Sequence, residues 1–177
     1  MTKKKADVLL HPVRMRIVQA LLSHERLTVQ QLVEKLADVP QATMYRHLTI
    51  LREAKAVEVV ETHKVRGTTE KVYAVSKEQL KIPDKEVEET APDEHLKYFM
   101  MYQANLLKEF EKYVLNHSPL QYKKDGLGYW QTTLHLSDAE FKEFLDELRA
   151  LFEKVSENKP TGDRKERIMA TTFIPGG

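Results

Sequence analysis

The sequence predicts an α+β fold, and two changes of pattern carry the prediction. Through residues 7–54 apolar residues recur at intervals of three and four, the spacing of a helix with one buried face. Over residues 57–75 the interval falls to two, as expected for β-strands. The second half of the chain repeats this order, with a long helical segment before an alternating one. A chain of 177 residues is long enough for one large domain or two small ones.

Three helices are expected before the first strand. The first covers residues 7–23. The second starts at Thr28, a residue favoured as an N-cap, and ends before Pro40. The third covers residues 41–54. Their apolar faces contain Leu10, Val13, Ile17, Leu21, Val29, Leu32, Val33, Leu36, Met44, Leu48 and Leu51.

Two strands around a polar tip follow the third helix. Residues 57–62 and 70–75 are rich in strand-forming residues, and Gly67 lies between them. Three helices followed by a two-stranded hairpin is the order of a winged helix-turn-helix. We therefore place a winged helix-turn-helix domain in residues 1–78.

The rest of the chain is predicted to hold a linker and a second domain. Residues 79–92 are acidic and contain two prolines, so we interpret them as a linker. Residues 93–177 are interpreted as a dimerisation domain with room for an effector site. This domain should begin with a long helix and end in a small strand-helix-strand unit. The unit has strands at residues 129–136 and 166–174, and a capping box starting at Ser137 begins its helix.

The long helix is expected from about residue 93 to residue 117. Its apolar positions alternate in steps of three and four, as in the seam of a coiled coil. Further apolar residues widen this stripe beyond what one neighbouring helix would cover, so we predict that it forms a dimer interface. Packing against its own C-terminal unit is the alternative. The predicted seam consists of Leu96, Phe99, Gln103, Leu106, Phe110 and Tyr113.

Composition and motifs argue against several classes of protein. The chain has no cysteine, which excludes disulfides and thiolate metal sites. No run approaches the roughly 18 apolar residues of a membrane span, and the start lacks the apolar core of a signal peptide, so a cytoplasmic protein is expected. Phosphate-binding glycine loops, nucleophile elbows and HExxH motifs are missing from the sequence, so we predict no enzymatic activity, catalytic residue or cofactor.

Charge is distributed unevenly along the chain. Residues 1–82 carry 15 Lys and Arg against 9 Asp and Glu, a net charge of +6. Residues 83–177 carry 13 against 18, a net charge of −5. A basic N-terminal half suits a polyanionic partner, because cationic side chains that neutralise phosphates release counterions.

The outer face of the third helix is the predicted site of DNA reading. Small residues on this face would let the helix enter the major groove, and Arg46 could donate two parallel bonds to a guanine. We assign base reading to Thr43 and Arg46. His47 lies at the border of the buried stripe, so we expect it to be packed. The predicted DNA-binding residues of this helix are Gln41, Ala42, Thr43, Tyr45, Arg46 and Thr49.

The hairpin tip is the second predicted DNA contact. Lys64 and Arg66 place two positive charges beside Gly67, and we expect them, with Tyr45, to position the DNA backbone. Lys3, Lys4 and Lys5 would suit either an arm that follows phosphates or a solubilising start.

The segments HPVRMRIVQALL, TVQQLVEKL, QATMYRHLTILREA and RGTTEKVYAV, in this order, resemble the ArsR-type winged-helix repressors. The likeness covers about residues 10–75 and is most specific in YRHLTILREA. It implies a homodimer that binds double-stranded DNA at a pseudo-palindromic operator. A fainter likeness, in the order of elements, links the second half to a longer subset of these regulators.

Two features depart from that family. Its members usually have Gly-Leu-Val after the recognition helix, whereas this chain has Lys55-Ala56-Val57. A left-handed conformation at Lys55 would cost about 1 kcal/mol. Metal-responsive members use cysteines or paired histidines, and His95, His117 and His135 are scattered singly, so we predict no metal site.

Two functional questions stay open in the sequence. Aromatic and methionine side chains of the second half could line a pocket for a small-molecule effector or fill an ordinary core. A winged helix can also serve as a protein–protein interaction module without a DNA target. Acidic or apolar residues on the outer face of the third helix would favour that alternative, and Thr43 and Arg46 stand there instead.

Overall fold

The computed structural model describes residues 4–65 and 68–176, which form two compact units. The first contains residues 4–111 and 168–176, and the second contains residues 112–167. No described helix combines the length and apolar character needed to cross a bilayer. The elements of the first unit are α1 (Lys5–Leu9), α2 (Pro12–His24), β1 (Arg26–Thr28), α3 (Val29–Lys35), α4 (Gln41–Glu53), β2 (Val57–Val65), β3 (Thr68–Val75), a 3-10 turn (Lys77–Leu80), α5 (Asp84–Glu88) and α6 (Pro92–Asn116), which extends into the second unit.

The core of the first unit lies between α2, α3, α4 and the sheet. Helices α2, α3 and α4 each bury an apolar face, as their periodicity predicts, and the α+β fold with an N-terminal winged helix-turn-helix is confirmed. Thr28 caps α3, because its hydroxyl accepts a bond from the Gln31 backbone amide at 3.3 Å, and its own backbone amide donates to Oε1 of the Gln31 side chain at 2.8 Å. The most completely buried side chains are Ile17, Leu21, Leu32, Met44, Leu48, Leu51 and Val57.

The sheet has three antiparallel strands in the order β1-β3-β2. The hairpin of β2 and β3 is longer than predicted, since pairing continues to Val65 opposite Thr68. Strand β1 was not predicted, because three residues are too few to show an alternating pattern. It places Leu27 opposite Tyr73, and both side chains are buried. The strand therefore ties the segment between α2 and α3 to the hairpin.

The first predicted helix is two helices. Helix α1 ends at Leu9, and α2 begins at Pro12 with His11 as its N-cap, whose ring accepts a bond from the Val13 amide at 3.2 Å. Proline has no amide hydrogen and suits the first turn of a helix, so it starts a new helix here. The expectation of one continuous helix over residues 7–23 was wrong.

The segment interpreted as a linker is ordered and belongs to the first unit. It contains α5, and Glu86 on α5 accepts bonds from the backbone amides of Lys5 and Ala6 at 3.0 and 2.7 Å. The carboxylate thereby satisfies two free amides at the start of α1. The boundary between the compact units falls after Glu111, within α6, and differs from the predicted boundary near residue 93.

Helix α6 has one face packed in the first unit and another exposed. Tyr98 and Asn105 are buried, and Tyr98 donates a bond to the Asp7 carboxylate at 3.0 Å. The stripe predicted as a dimer seam lies about a third of a turn away from this buried face. Within it, Leu96, Phe99, Gln103 and Phe110 are exposed, and Leu106 and Tyr113 are half-buried.

The second unit consists of helices joined by irregular segments. Helix α7 (Pro119–Asp125) ends at Gly126, which takes the left-handed conformation with φ of 76°. Helix α8 (Asp138–Ser156) starts with the predicted capping box, in which Ser137 accepts from the Glu140 amide at 3.3 Å. Asp125 accepts bonds from Tyr113 and Lys165 at 2.8 and 2.7 Å.

The two strands predicted on either side of α8 are not formed. Residues 129–136 and the described residues 166–174 have no regular secondary structure, so the predicted strand-helix-strand unit was wrong in its strands and right in its helix. The physical reason is that a strand, unlike a helix, needs a neighbouring strand for its backbone hydrogen bonds. Alternation in the sequence indicates the strand but not its neighbour.

The end of α4 has the geometry that glycine usually provides. Lys55 has φ of 59°, so it adopts the left-handed conformation whose cost was considered above. The Ala56 amide bonds to the Leu51 carbonyl at 2.9 Å, and the Lys55 amide bonds to Arg52 at 2.9 Å. These two bonds form a Schellman motif, and the buried Ala56 and Leu51 supply its apolar contact.

Replacing Lys55 by glycine should stabilise the protein. Glycine adopts a positive φ without the steric cost that a Cβ brings, so Lys55→Gly should raise the free energy of unfolding by about 1 kcal/mol. Urea denaturation followed by circular dichroism measures the change. Lys35→Gly, near the end of α3 in the right-handed helical region, is the control and should destabilise. A decrease in stability for Lys55→Gly would show that its side chain contributes more than the backbone strain costs.

Candidate nucleic-acid interface

The outer face of α4 is exposed along its length. Ala42, Arg46 and Thr49 lie opposite the buried stripe, and Tyr45 is 49% exposed beside them. The Thr49 hydroxyl donates to the Tyr45 carbonyl at 3.0 Å, which keeps it close to the helix surface. This face is therefore narrow, hydroxylated and cationic, and it suits close approach to a polyanion.

Two predicted residues lie at the edges of that face. Gln41 is exposed in the first turn, and Thr43 is half-buried at the border with the core. The first turn contains no acidic residue, so the positive end of the helix dipole is not offset there. Arg52 lies on the same exposed side, one turn after the predicted set. Arg52 was not among the predicted residues, although its spacing of three from Thr49 places it on this face.

His47 is packed, as predicted, and it anchors the inner side of α4. It is buried, and its ring lies 4.8 Å from that of His11, centroid to centroid. Arg14 approaches Nδ1 of His47 at 3.4 Å. A guanidinium can only donate, so Nδ1 accepts and the proton of the neutral ring is assigned to Nε2.

Arg14 in turn binds the end of α1. It is buried, and it donates through Nε to the Val8 carbonyl and through Nη2 to the Asp7 carbonyl at 2.6 Å. Burial first, and then the positive charges of His11, Arg14 and Arg46, together lower the pKa of His47 to about 4. Helix α4 is thus fixed to α1 and α2 through a neutral histidine that is surrounded by positive charges.

Asp38, in the turn between α3 and α4, joins three elements. It accepts two bonds from the buried Arg16 of α2 at 2.7 and 2.8 Å, and one from Lys108 of α6 at 2.6 Å. Glu109 lies 3.4 Å from the same guanidinium. The bonds from Arg16 and Lys108 hold the pKa of Asp38 well below its usual range. These bonds connect the turn before α4 to α2 through Arg16 and to α6 through Lys108.

The described part of the β2–β3 hairpin, the wing, carries two exposed lysines. Lys64 is exposed near the end of β2, opposite Thr69, and Lys71 is exposed on β3. Sequence analysis did not select Lys71. The predicted contact Arg66 and its neighbour Gly67 lie outside the described residues.

The described N-terminal lysines are engaged within the first unit. Lys4 forms an ion pair with Glu94 on α6, and Lys5 starts α1, where its ammonium contacts Gln79 at 3.4 Å. Of the two interpretations of this segment, an arm that follows phosphates is the less consistent with these contacts for Lys4 and Lys5. Lys3 lies outside the described residues.

A helix-turn-helix with an exposed recognition face and a two-stranded wing is the architecture of a DNA-binding regulator. Comparison with protein families agrees, since residues 9–60 match the model of a helix-turn-helix domain. The match starts at the end of α1, runs through α2, α3 and α4 and ends within β2, and it covers less than a third of the chain. Comparison with curated proteins gives no match.

Acid should destabilise the protein through His47. Its pKa is about 4 when folded and about 6.5 when unfolded, so the unfolded chain takes up the proton first as pH falls. Above pH 6.5 His47 is neutral in both states and does not lower the free energy of unfolding. Between pH 6.5 and pH 4 the free energy of unfolding falls by up to about 1.4 kcal/mol per pH unit.

Urea titrations of the wild type and of His47→Gln from pH 7 to pH 4 measure this loss. The variant lacks the titrating group, so its stability should fall less steeply with pH, whatever its stability at pH 7. His24→Gln, at a half-buried histidine, controls for the loss of an imidazole elsewhere in the first unit. Parallel profiles for wild type and His47→Gln would contradict the assignment.

Proposed function

We propose that this protein is a sequence-specific transcriptional repressor of the ArsR type that binds a pseudo-palindromic operator as a homodimer. The exposed outer face of α4, held from behind by a fully buried stripe, is the observation that carries the proposal. In the complex, each α4 enters a major-groove half-site and each wing flanks it. Repression follows from occupying the operator.

The roles of the contact residues follow from their chemistry. Arg46 donates two parallel bonds to the O6 and N7 of a guanine, and Thr43 reads a neighbouring base from the edge of the face. Gln41 and Ala42, in the first turn, allow close approach of the helix end. Tyr45, Thr49, Lys64 and Arg66 bind phosphates and set the register of the protein on the duplex.

The homodimer is proposed to form along the exposed seam of α6. Leu96, Met100 and Leu107 are 61%, 63% and 66% exposed, although they lie on a well-formed helix of 25 residues. With its neighbours, this stripe leaves about 700 Å² of apolar surface, close to the ~800 Å² that each partner contributes to a stable interface. Gln103 would add a polar position that fixes the register.

Selection of random duplex DNA by the purified protein at two salt concentrations is the first test. The proposal requires an inverted repeat with half-sites about 10 bp apart from centre to centre, or a multiple of that spacing. Affinity should fall steeply as salt rises, because phosphate contacts release counterions. If no sequence is enriched and the response to salt is flat, the winged helix serves protein–protein contact and the proposal is wrong.

Loss of the Arg46 side chain should weaken binding and relax specificity. Arg46→Ala should cost about 1–3 kcal/mol on the selected operator and reduce discrimination at one base pair. Fluorescence anisotropy with the operator and with single-base variants measures both effects. Arg149→Ala on α8 removes the same charge from a residue outside the proposed contact set and should change neither. Unchanged affinity and preference for Arg46→Ala would show that another face of α4 reads the DNA.

A charge placed in the α6 seam should separate the copies. Leu96→Glu puts a carboxylate into the proposed apolar interface and should raise the dimer dissociation constant at least about tenfold, equivalent to 1.4 kcal/mol. Analytical ultracentrifugation measures the constant. Ala104→Glu makes the same change of charge at an exposed position off the seam, and it should leave the dimer intact. Equal effects of the two variants would place the interface elsewhere.

A further inference from the structure

The second unit contains the apolar side chains that would form a core, but these side chains are not buried. Residues 112–167 are all described, and none of them is buried. Helix α8 is regular and capped, yet Leu151 and Val155 on its apolar side are 58% and 44% exposed. A small unit that leaves its apolar surface in water has little to offset the entropy of ordering its chain. The unit therefore presents an exposed apolar face.

The segment before α8 adds a second apolar face. In residues 129–136 every second residue from Trp130 onward would share one side of an extended strand. Trp130, Leu134 and Leu136 are 85%, 56% and 43% exposed. This pattern is typical of a strand with one buried face. All three strands of the described chain belong to the sheet of the first unit, so this segment has no strand beside it within the described residues.

Charge identifies a suitable partner for this surface. Residues 112–167 carry ten Lys and Arg and ten Asp and Glu, so the unit has no net charge. It neither attracts a polyanion nor repels a second copy of itself, and a net charge near zero favours self-association. The exposed apolar parts of the segment and of α8 amount to roughly 600 Å², which approaches what each partner of a stable dimer buries.

Symmetry also favours a second copy. When two identical segments pair as antiparallel strands about a two-fold axis, residues directly opposite each other point to the same side of the sheet. A register that pairs even-numbered residues with even-numbered ones would place Trp130, Thr132, Leu134 and Leu136 of both copies on one continuous face. No other partner needs to be present for this pairing.

We propose that residues 129–136 form a β-strand against the same segment of a second copy, and that the apolar face of α8 is buried in that interface. The proposal rests on the homodimer proposed above and adds a second contact to it, independent of the α6 seam. The occupant of this surface is a second copy of the chain.

Trp130 provides a direct probe, because it is the only tryptophan of the chain. The emission of the full-length protein is recorded over a dilution series whose monomer–dimer equilibrium is measured by analytical ultracentrifugation. The dimer should emit at shorter wavelength and resist quenching by acrylamide, and dilution to monomer should reverse both changes. Emission of a solvated tryptophan in the dimer would overturn the proposal.

Two adjacent threonines provide a matched pair of variants. In the proposed strand Thr132 shares the face of Trp130 and Thr133 lies on the opposite face. Both residues are exposed in the single chain. Thr132→Lys should raise the dimer dissociation constant at least about tenfold, which corresponds to 1.4 kcal/mol, because it buries a charge. Thr133→Lys should change it much less. Equal effects would show that the segment does not pair as a strand with one buried face.

The outcomes separate this proposal from the proposed function. A protein that is monomeric at every concentration overturns both the strand pairing and the homodimer. A dimer that is broken by Leu96→Glu but has a solvated Trp130 overturns only the strand pairing, and the face then belongs to another partner. Operator binding, measured separately, can hold in either case.

Discussion

The burial of the inner face of α4 is the constraint on which the rest of the structure depends. Met44, Leu48 and Leu51 are no more than 1% exposed. Truncating one such side chain typically costs 2–5 kcal/mol, more than a surface contact contributes. A helix fixed on one side by such contacts has no freedom to rotate, so the core determines which residues point outward. The face that we assign to DNA is thus set by residues that would never contact it.

Charged groups complete this constraint at the ends of α4. Arg16 is almost fully buried, a position that costs desolvation energy unless opposite charges compensate it. Asp38 and Glu109 supply those charges, and Asp38 lies just before α4 while Glu109 is on α6. The Arg16 guanidinium therefore binds both the turn before α4 and α6, the helix with the exposed seam. A movement of α6 in the first unit would have to break these bonds or carry the turn before α4 with it.

Sequence reasoning succeeded where the signal is local. The cap at Thr28, the buried stripe of α4 and the left-handed Lys55 depend on neighbours within a few residues, and the pattern contains them. It failed where the cause lies far away in the chain. Glu86 accepts a bond from the Ala6 amide at the start of α1, 80 residues earlier in the chain. The sequence around either residue gives no sign of this contact. The outer face of α4 was found, but the burial of Thr43 at its edge depends on packing that periodicity does not resolve.

The alternating segment around Trp130 also shows the difference between local and distant causes, because a strand depends on a neighbour and a helix does not. A helix makes its backbone hydrogen bonds within itself, so the backbone of α8 needs no neighbouring segment. A strand cannot, and in the first unit β1 forms despite its three residues because β3 lies beside it. Residues 129–136 show a stronger alternating pattern, but no strand lies beside them in the described part of the chain. In the proposed dimer, the same segment of a second copy supplies the neighbouring strand.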